Sequence, residues 1–561
     1  MFVILSALFI RTKKAARNER TYVQLVESYR ENGKMKQRVI RHVGTADTPE
    51  KLERLKSLAV AIKMELEASA SLNTKITDPV YTKNVNLKKP VTKSMPIDLL
   101  QAQASAQLIL GIHDVYGAVY DIVGFTNPFS CRNQRFKSAE VLKEMVLARI
   151  ANPSSKRASV EFLGEQFGVQ INLDHVYQMM DKIDDLFCTR IQKSALNTAI
   201  NLTGEKLNIL FYDATTLYFE SFTEDDLKQN GYSKDMKFNQ PQVLLALFVT
   251  EKGLPVGYEV FPGKTFEGHT LIPVLEKLKK QYNLKEVIFV ADRGMLSKNN
   301  LDYLHKNNFR YIVGCRIKAL KKTQQAIILE WANSLNKEKI KDEITHQIDL
   351  DHGQKLILSY RPSRAKKDKM DRERSIQRLQ ARLAKSKNPK QLISNYGFQK
   401  FITVSGDAQL KIDENKLKSE LVWDGLVGIC SNHSELNNEQ VINQYRGLWQ
   451  VEESFRITKH DLRVRPIYHW TPKRVKAHIA ISFMAFVCVR YLQYRVATQH
   501  KKISPEEIRK NLMRMQATVI HDKQKNKNYL LPSENTPITK QIYRVLGIKL
   551  PGGVMEIKSP I

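Results

Sequence analysis

Between residues 205 and 317 the chain alternates apolar strand-like segments with amphipathic ones, and this alternation constrains the fold more than any other feature. Three apolar strand segments come first, one at 207–221 and two within 243–263 on either side of Lys252-Gly253. Helical and strand patterns then alternate, at 269–282, 286–294, 299–308 and 309–317. Strands that can pair antiparallel, followed by β-α units, predict an α/β fold with a mixed sheet.

Two aspartates lie in these strand segments. Asp213 stands in FYDATT, near the end of the first predicted strand, and Asp292 stands in FVADRG, at the end of a later one. A carboxylate at the end of a buried strand is unfavourable unless it is paired or bound to a metal. If the two strands are neighbours, both carboxylates meet at one edge of the sheet, where α/β proteins often bind their ligands.

A third acid, Glu452, lies in a predicted helix at 438–460. Spacings of four and seven residues place four further side chains on the face of Glu452, namely Tyr445, Leu448, Arg456 and Lys459. An acid beside two cations and a tyrosine predicts a metal site that also contacts DNA phosphates. Glu453 lies off this face, and we expect it to be a solvated or paired surface acid.

Carboxylate oxygens are the ligands that hard divalent cations prefer. We therefore expect Asp213, Asp292 and Glu452 to bind Mg²⁺ or Mn²⁺, as two ions about 3.5–4 Å apart that clamp the attacking and leaving oxygens of an in-line displacement. We expect Arg293, next to Asp292, either to contact DNA phosphate or to form a structural salt bridge.

The segment YRGLWQVEESFRITK at 445–459 resembles the Y-x2-R-x3-E-x6-K signature of bacterial insertion-sequence transposases of the DDE class, in the insertion-sequence-4-like group. Tyr445, Glu452 and Lys459 are in register, whereas Leu448 stands at the arginine position and Arg446 lies two residues earlier. YDATTLYFES and VADRGMLSKNNL are similar to the family's two aspartate regions. The resemblance covers roughly 205–490.

The resemblance implies a ribonuclease-H-like catalytic core with a β-rich insertion between the second aspartate and the glutamate. It also implies cleavage at the ends of an insertion sequence and strand transfer into target DNA. Asp213, Asp292 and Glu452 would be the catalytic residues and metal ligands, and the expected DNA contacts are Tyr445, Arg446, Arg456, Lys459 and Arg293. Synapsis of two ends requires at least a homodimer.

The charge balance predicts a polyanionic partner. Lys and Arg number 89 against 58 Asp and Glu, a net charge of +31. Double-stranded DNA is the first candidate, namely terminal inverted repeats and target DNA. An anionic membrane surface and a merely solvated lysine-rich surface are the alternatives. Five scattered cysteines imply no disulfide framework and fit a reduced bacterial cytoplasm, where the protein would associate with the nucleoid.

The apolar start, Met1 to Ile10, is too short to span a membrane, and we interpret it as an added start or an edge strand. The apolar run at 480–489 is typical of a buried core helix, so we expect no membrane contact.

The pattern along the chain predicts seven segments. They are a β-hairpin and helix region at 1–69, a linker at 70–95, a mainly helical and DNA-binding region at 96–200, the first part of the core at 205–317, a β-rich insertion with a basic helical arm at 318–437, core helices at 438–520 and an irregular tail at 521–561. The helical region at 96–200 fits either a helix-turn-helix reader or a plain bundle.

Three functions remain open from the residues alone. The chain is an active transposase, a degenerate copy that only binds DNA, or a metal-dependent nuclease that cuts without joining. The intact set of three acids favours the first.

Overall fold

The computed structural model divides the chain into two compact units. The first comprises Met1–Phe266 with Gln450–Ile561, and the second comprises Glu267–Trp449. The structure describes residues 8–14, 20–31, 34–71, 87–90, 102–126, 128–129, 135–205, 207–220, 223–231, 239–282, 287–295, 297–350, 353–385, 402–405 and 409–557. Most of the predicted linker at 70–95 and residues 1–7 of the apolar start therefore lie outside the described residues.

The amino-terminal part of the first unit begins with strands and continues with helices before three further strands. Its elements are β1 (Leu8–Lys14), β2 (Thr21–Glu31), β3 (Lys34–Ala46), α1 (Pro49–Ser71), β4 (Leu87–Pro90), β5 (Ala102–Ile109), α2 (Gly111–Ile122), α3 (Arg135–Ala151), α4 (Lys156–Phe167), α5 (Leu173–Met180), α6 (Asp185–Thr203), β6 (Ile209–Tyr218), β7 (Gln242–Thr250) and β8 (Pro255–Pro262). The β-hairpin and the helix predicted within 1–69 are present, as β2, β3 and α1.

The second unit mixes strands and helices throughout. Its elements are α7 (Leu271–Tyr282), β9 (Ile288–Ala291), α8 (Lys298–Lys306), β10 (Arg310–Cys315), α9 (Lys322–Ser334), β11 (Ile344–Asp349), β12 (Lys355–Tyr360), α10 (Pro362–Lys385), β13 (Ile402–Ser405), β14 (Gln409–Ile412), α11 (Glu414–Leu421), β15 (Leu426–Ser431) and α12 (Asn438–Arg446). The basic helical arm predicted within 318–437 corresponds to α10.

The carboxyl-terminal part of the first unit contains helices and then a small sheet. Its elements are α13 (Trp449–Arg456), α14 (Pro472–Gln499), α15 (Pro505–Arg514), β16 (Gln516–Asp522), β17 (Lys527–Pro532), α16 (Pro537–Leu546) and β18 (Met555–Ile557). The predicted irregular tail is therefore wrong, because β17, α16 and β18 occupy it.

Antiparallel pairing joins the described strands of the first unit in three groups. β1 pairs with β2 as an edge strand, and β2 pairs with β3. β6, β7 and β8 form a meander in which β7 is buried at all nine positions, as its unbroken apolar sequence requires. The third sheet has the order β4-β18-β17-β16-β5, so strands from opposite parts of the sequence pair in it.

The second unit has one mixed sheet and one separate hairpin among its described strands. β10 pairs parallel with β9 and antiparallel with β15, which is followed by β12 and β11. The five core strands expected between 207 and 317 are thus all present, as β6 to β10, and the chain is mixed α/β. The predicted insertion at 318–437 contains α9, α10 and α11 besides its strands, and its boundaries stay a prediction.

Helix α14 forms the core of the first unit. It is long and apolar enough to cross a membrane by length and composition, but 94% of its most apolar window is buried inside the protein. It packs against α2, α3, α6 and β8. The run at 480–489 is therefore a buried core helix, as predicted.

Candidate active site

Asp213 lies in the middle of a strand and not near its end. It is the fifth of ten residues of β6 and stands opposite Leu247 of β7. Its side chain is half-buried, and the backbone N–H of Ala214 donates to its Oδ1 at 2.8 Å. The predicted position near a strand end is wrong because β6 continues through Ala-Thr-Thr-Leu-Tyr, whose β-branched and aromatic residues favour a strand.

Asp292 directly follows β9, as expected. All four residues of β9 are buried, and the chain then enters a short 3₁₀ turn at Arg293–Met295. The side chain of Asp292 is exposed. Its Oδ1 accepts a hydrogen bond from the hydroxyl of Tyr445, with the two oxygens 3.3 Å apart. This hydrogen bond, within the second unit, therefore connects the tyrosine of the signature with the second aspartate.

A glycine makes this contact possible. A Cβ on Gly314 of β10 would lie 2.3 Å from Oη of Tyr445 and 3.0 Å from its Cζ. β10 lies parallel to β9 with Val313 opposite Ala291, so Gly314 is the next residue along toward Asp292. The sequence analysis missed this residue. The signal that could have revealed it is a glycine within the apolar strand RYIVGC, which often marks a close approach.

The predicted single helix at 438–460 is interrupted. α12 ends at Arg446, Gly447 and Leu448 form a turn, and α13 passes into a π-helical turn at Ile457–Asp461. The N–H of Gly447 is shared between the carbonyls of Asn443 and Gln444, which tightens the end of α12. A π turn changes the helical phase, so the spacing of Lys459 from Glu452 no longer places both on one face.

Glu452 and Glu453 have different electrostatic surroundings. Glu453 lies 3.6 Å from a guanidinium nitrogen of Arg456 and 3.9 Å from one of Arg490. Glu452 is exposed and forms no hydrogen bond or ion pair with any residue that the structure describes. The expectation that Glu453 is a paired acid is confirmed.

Besides Tyr445, two of the expected DNA contacts are held in ion pairs. Arg446 pairs with Glu343, and Arg456 lies 3.6 Å from both Glu453 and Asp461. Burial alone would raise the pKa of Glu343, but hydrogen bonds from Ser359 and Arg446 and the nearby charges bring it below its ordinary value.

The other two basic positions differ from each other. Arg293 is exposed and has no ion pair within the described part of the chain, so the salt bridge considered for it is not present there. Lys459 is half-buried.

The three acids are distributed over both units. Asp213 and Glu452 belong to the first unit and Asp292 to the second. Among the described residues, no group of three or more His, Cys, Asp or Glu side chains has the spacing of a metal site. The convergence of the three acids stays a prediction.

A comparison with protein families decides the class. Residues 204–488, just over half of the chain, match the family described as transposase DDE domain. The chain belongs to the DDE transposase family. The matched range contains all three predicted acids, and the family implies a ribonuclease-H-like core. The protein is a DNA transposase that cleaves DNA at element ends and transfers strands to target DNA, and DDE domains generally use divalent metal ions.

A second match covers the amino-terminal elements. Residues 10–71, from β1 to α1, match the IS1634 family transposase, N-terminal domain. The DDE transposase is therefore an insertion-sequence transposase. IS1634 is a different family from the insertion-sequence-4-like group expected from the signature, and membership of that group is not confirmed.

Solved transposase structures show distant similarity. A piggyBac transposase synaptic complex with hairpin DNA, determined by cryo-EM, is 9% identical with a TM-score of 0.37, covering 72% of this chain and 76% of that one. A Mos1 transposase paired-end complex with the left transposon end is 15% identical with a TM-score of 0.14, covering 32% and 60%. Among curated proteins, none matches the DDE transposase significantly.

Proposed function

We propose that Asp213, Asp292 and Glu452 together bind the divalent ions of this transposase, as two Mg²⁺ or Mn²⁺ ions. The observation that supports this is that two of the three acids, Asp292 and Glu452, have no cationic partner among the described residues. Glu452 has no partner in the described part of the chain, and the carboxylate of Asp292 has only the neutral hydroxyl of Tyr445. By contrast, Glu453, which follows Glu452 in the sequence, and Glu343, which contacts Arg446, are both paired with arginines.

Exposed carboxylates without a compensating cation fit a hard divalent ion, which prefers oxygen ligands. When bound, the ions would activate water or a 3′-hydroxyl and stabilise the departing oxygen. The chain's own residues hold the carboxylates and the DNA. Tyr445 fixes the rotamer of Asp292 by its hydrogen bond, and Arg293 supplies a positive charge one residue further on.

The basic residues near Glu452 would bind the DNA backbone. Arg446 and Arg456 are in part-exposed ion pairs, which contribute only about 0–1 kcal/mol. Phosphates can therefore replace Glu343 and Glu453 as partners without a large loss of stability. Lys459 and Tyr445 complete the set of contacts that we infer from the signature.

We infer that the DNA is double-stranded and comprises terminal inverted repeats and target DNA, with the helical region at 96–200 as the reader of the repeats. Two ends held together require a homodimer in the synaptic complex. We place the protein at the nucleoid of a bacterial cytoplasm, and the signature favours the insertion-sequence-4-like group.

The test compares substitutions of the three proposed metal ligands with the same substitutions of two other acids. We expect Asp213→Asn, Asp292→Asn and Glu452→Gln each to abolish cleavage of DNA that carries the element's own end, in magnesium buffer. Glu453→Gln and Asp302→Asn are the matched controls and should cleave normally. DNA binding should survive in all five variants. Normal cleavage by any of the first three would remove that residue from the site.

A strand-transfer assay on the same DNA separates transposition from cutting alone. Joined products with wild-type protein, and none with Glu452→Gln, are the expected result.

A further inference from the structure

Away from the candidate active site, four basic side chains gather inside the first unit. Arg149 at the end of α3 and Lys156 at the start of α4 are 3% and 4% exposed. His478 of α14 is 5% exposed, and His469, in the loop before α14, is half-buried. We call these four residues the cationic cluster.

Backbone carbonyls of one loop hold two members of the cationic cluster. A guanidinium nitrogen of Arg149 lies 3.4 Å from the carbonyl oxygen of Arg463, and Nε2 of His478 lies 3.1 Å from that of Val464. The rings of His469 and His478 are 5.3 Å apart. Besides burial, the charges of Lys156 and Arg149 contribute to the low pKa values of both histidines, which places all four groups close together.

The cationic cluster lacks an acidic partner among the described residues. The charged side chains that perturb the two histidines are all basic, and the further one, Arg474, is already paired with Asp181 at 2.8 Å. Burial lowers the pKa of Lys156 well below its ordinary value and that of His469 to about 3. Adjacent cations in a protein interior are strongly unfavourable without an anion.

Two donors of the cluster are unused. Nζ of Lys156 and Nε of Arg149 are buried and have no hydrogen-bond partner in the part of the chain that is described. Lys156 is also the first residue of a twelve-residue helix, after the N-cap Ser155, so its own N–H lies in the first turn. The amino end of a helix favours an anion through its free N–H groups and its dipole.

We propose that the cationic cluster binds a phosphate group, either a backbone phosphodiester of bound DNA or inorganic phosphate. The protonated amine of Lys156 and the guanidinium of Arg149 would donate hydrogen bonds to the phosphate and supply charge. The cluster reaches the surface at His469, which stands between Tyr468 and Trp470, 63% and 74% exposed. This site is separate in sequence from the three acids and does not depend on their role.

The first experiment uses the full chain without divalent metal and inorganic phosphate as the probe. Phosphate, compared with chloride at equal ionic strength, should raise the Tm of wild type and of Arg157→Met, which removes an exposed charge one residue away. Lys156→Met should lose this rise. It should also be at least as stable as wild type without phosphate, since it replaces a buried unpaired amine. A role for Lys156 in folding alone would lower the Tm of Lys156→Met with and without phosphate.

The second experiment identifies the source of the phosphate with a labelled duplex of arbitrary sequence. If a DNA phosphodiester occupies the site, Lys156→Met weakens binding about tenfold more than Arg157→Met, since a buried charge-assisted contact is lost. If inorganic phosphate occupies it, the two variants bind DNA equally and only the Tm response differs.

Unchanged phosphate response and unchanged DNA binding in Lys156→Met would overturn the proposal. Arg149→Met, which removes the second charge assigned to the phosphate, provides a second variant if Lys156→Met does not fold, and the same losses are expected. Asp292→Asn should keep the phosphate response, so that failure of the catalytic proposal is distinguishable from failure of this one.

Discussion

The hydroxyl of Tyr445 donates a hydrogen bond to Oδ1 of Asp292 across 3.3 Å. This contact links two segments that lie 153 residues apart in the chain and that the family signature treats as separate motifs. It gives the tyrosine of the signature a physical role, which is to hold the second aspartate in one orientation before DNA and metal bind.

Tyr445→Phe should therefore slow cleavage without abolishing it. Loss of one neutral hydrogen bond to a carboxylate is worth about 1 kcal/mol, or roughly fivefold in rate. Single-turnover cleavage at saturating magnesium is the measurement. Tyr303→Phe, which removes a hydroxyl that contacts Glu276 in the same unit, is the control and should leave the rate unchanged. Equal rates for Tyr445→Phe and wild type would exclude the positioning role.

Gly314→Ala should impair cleavage more than Tyr445→Phe does. The added methyl group would meet the phenol oxygen at 2.3 Å, so the whole ring must move away from Asp292. Gly552→Ala, where the nearest atom is 4.0 Å from the new Cβ, is the control. Cleavage rate and circular dichroism together separate a local displacement from unfolding. Wild-type cleavage by Gly314→Ala would contradict the close approach.

Glu65→Ala should destabilise the first unit strongly. Glu65 of α1 lies 2.9 Å from a guanidinium nitrogen of Arg495 of α14, which is fully buried. Removing one member of a buried pair costs about 3–5 kcal/mol, because the other charge stays buried. Denaturant unfolding measures the change, and Glu67→Ala, at an exposed position two residues on, should change the free energy of unfolding little. Equal effects of the two substitutions would show that the buried pair contributes no more than a surface one.

The burial of His469 predicts that the folded protein loses stability at acidic pH. Burial lowers the pKa of His469 from 6.5 to about 3 in the folded protein. Below pH 6.5 the unfolded chain binds a proton that the folded chain does not bind until about pH 3, so stability falls as the pH falls through this window. His469→Gln should flatten that part of the curve in phosphate-free buffer, measured by urea unfolding at several pH values. His175→Gln should leave the curve as in wild type, and an unchanged curve for His469→Gln would refute the assignment.

Local sequence patterns predicted the elements that hold the acids. The apolar runs before Asp292 and around Asp213 are strong local signals, and β6 and β9 follow from them directly. The burial of residues 480–489 was also predictable from the sequence, since an apolar run of this length favours a core helix. Glu453 was assigned correctly because helical phase separates neighbouring positions over a single turn.

Features that depend on distant pairing were not predictable. β16 and β17 are short. β16 pairs with β5, more than 400 residues earlier in the chain, and β17 pairs with β16 and β18, so local sequence does not reveal the order in the tail. The break at Gly447 and the π turn at Ile457–Asp461 change helical phase without a decisive local signal. The cationic cluster was also hidden, because Arg149 and Lys156 have the sequence pattern of surface residues and are buried only by tertiary packing.

The discontinuous first unit has a consequence for synthesis on the ribosome. β5 finds its neighbour in β16, and α1 finds the guanidinium of Arg495, only after the whole second unit has been synthesised. The first unit therefore cannot complete its core while the second unit is still emerging. A product that stops before Arg495 lacks these partners, and we expect it not to fold stably.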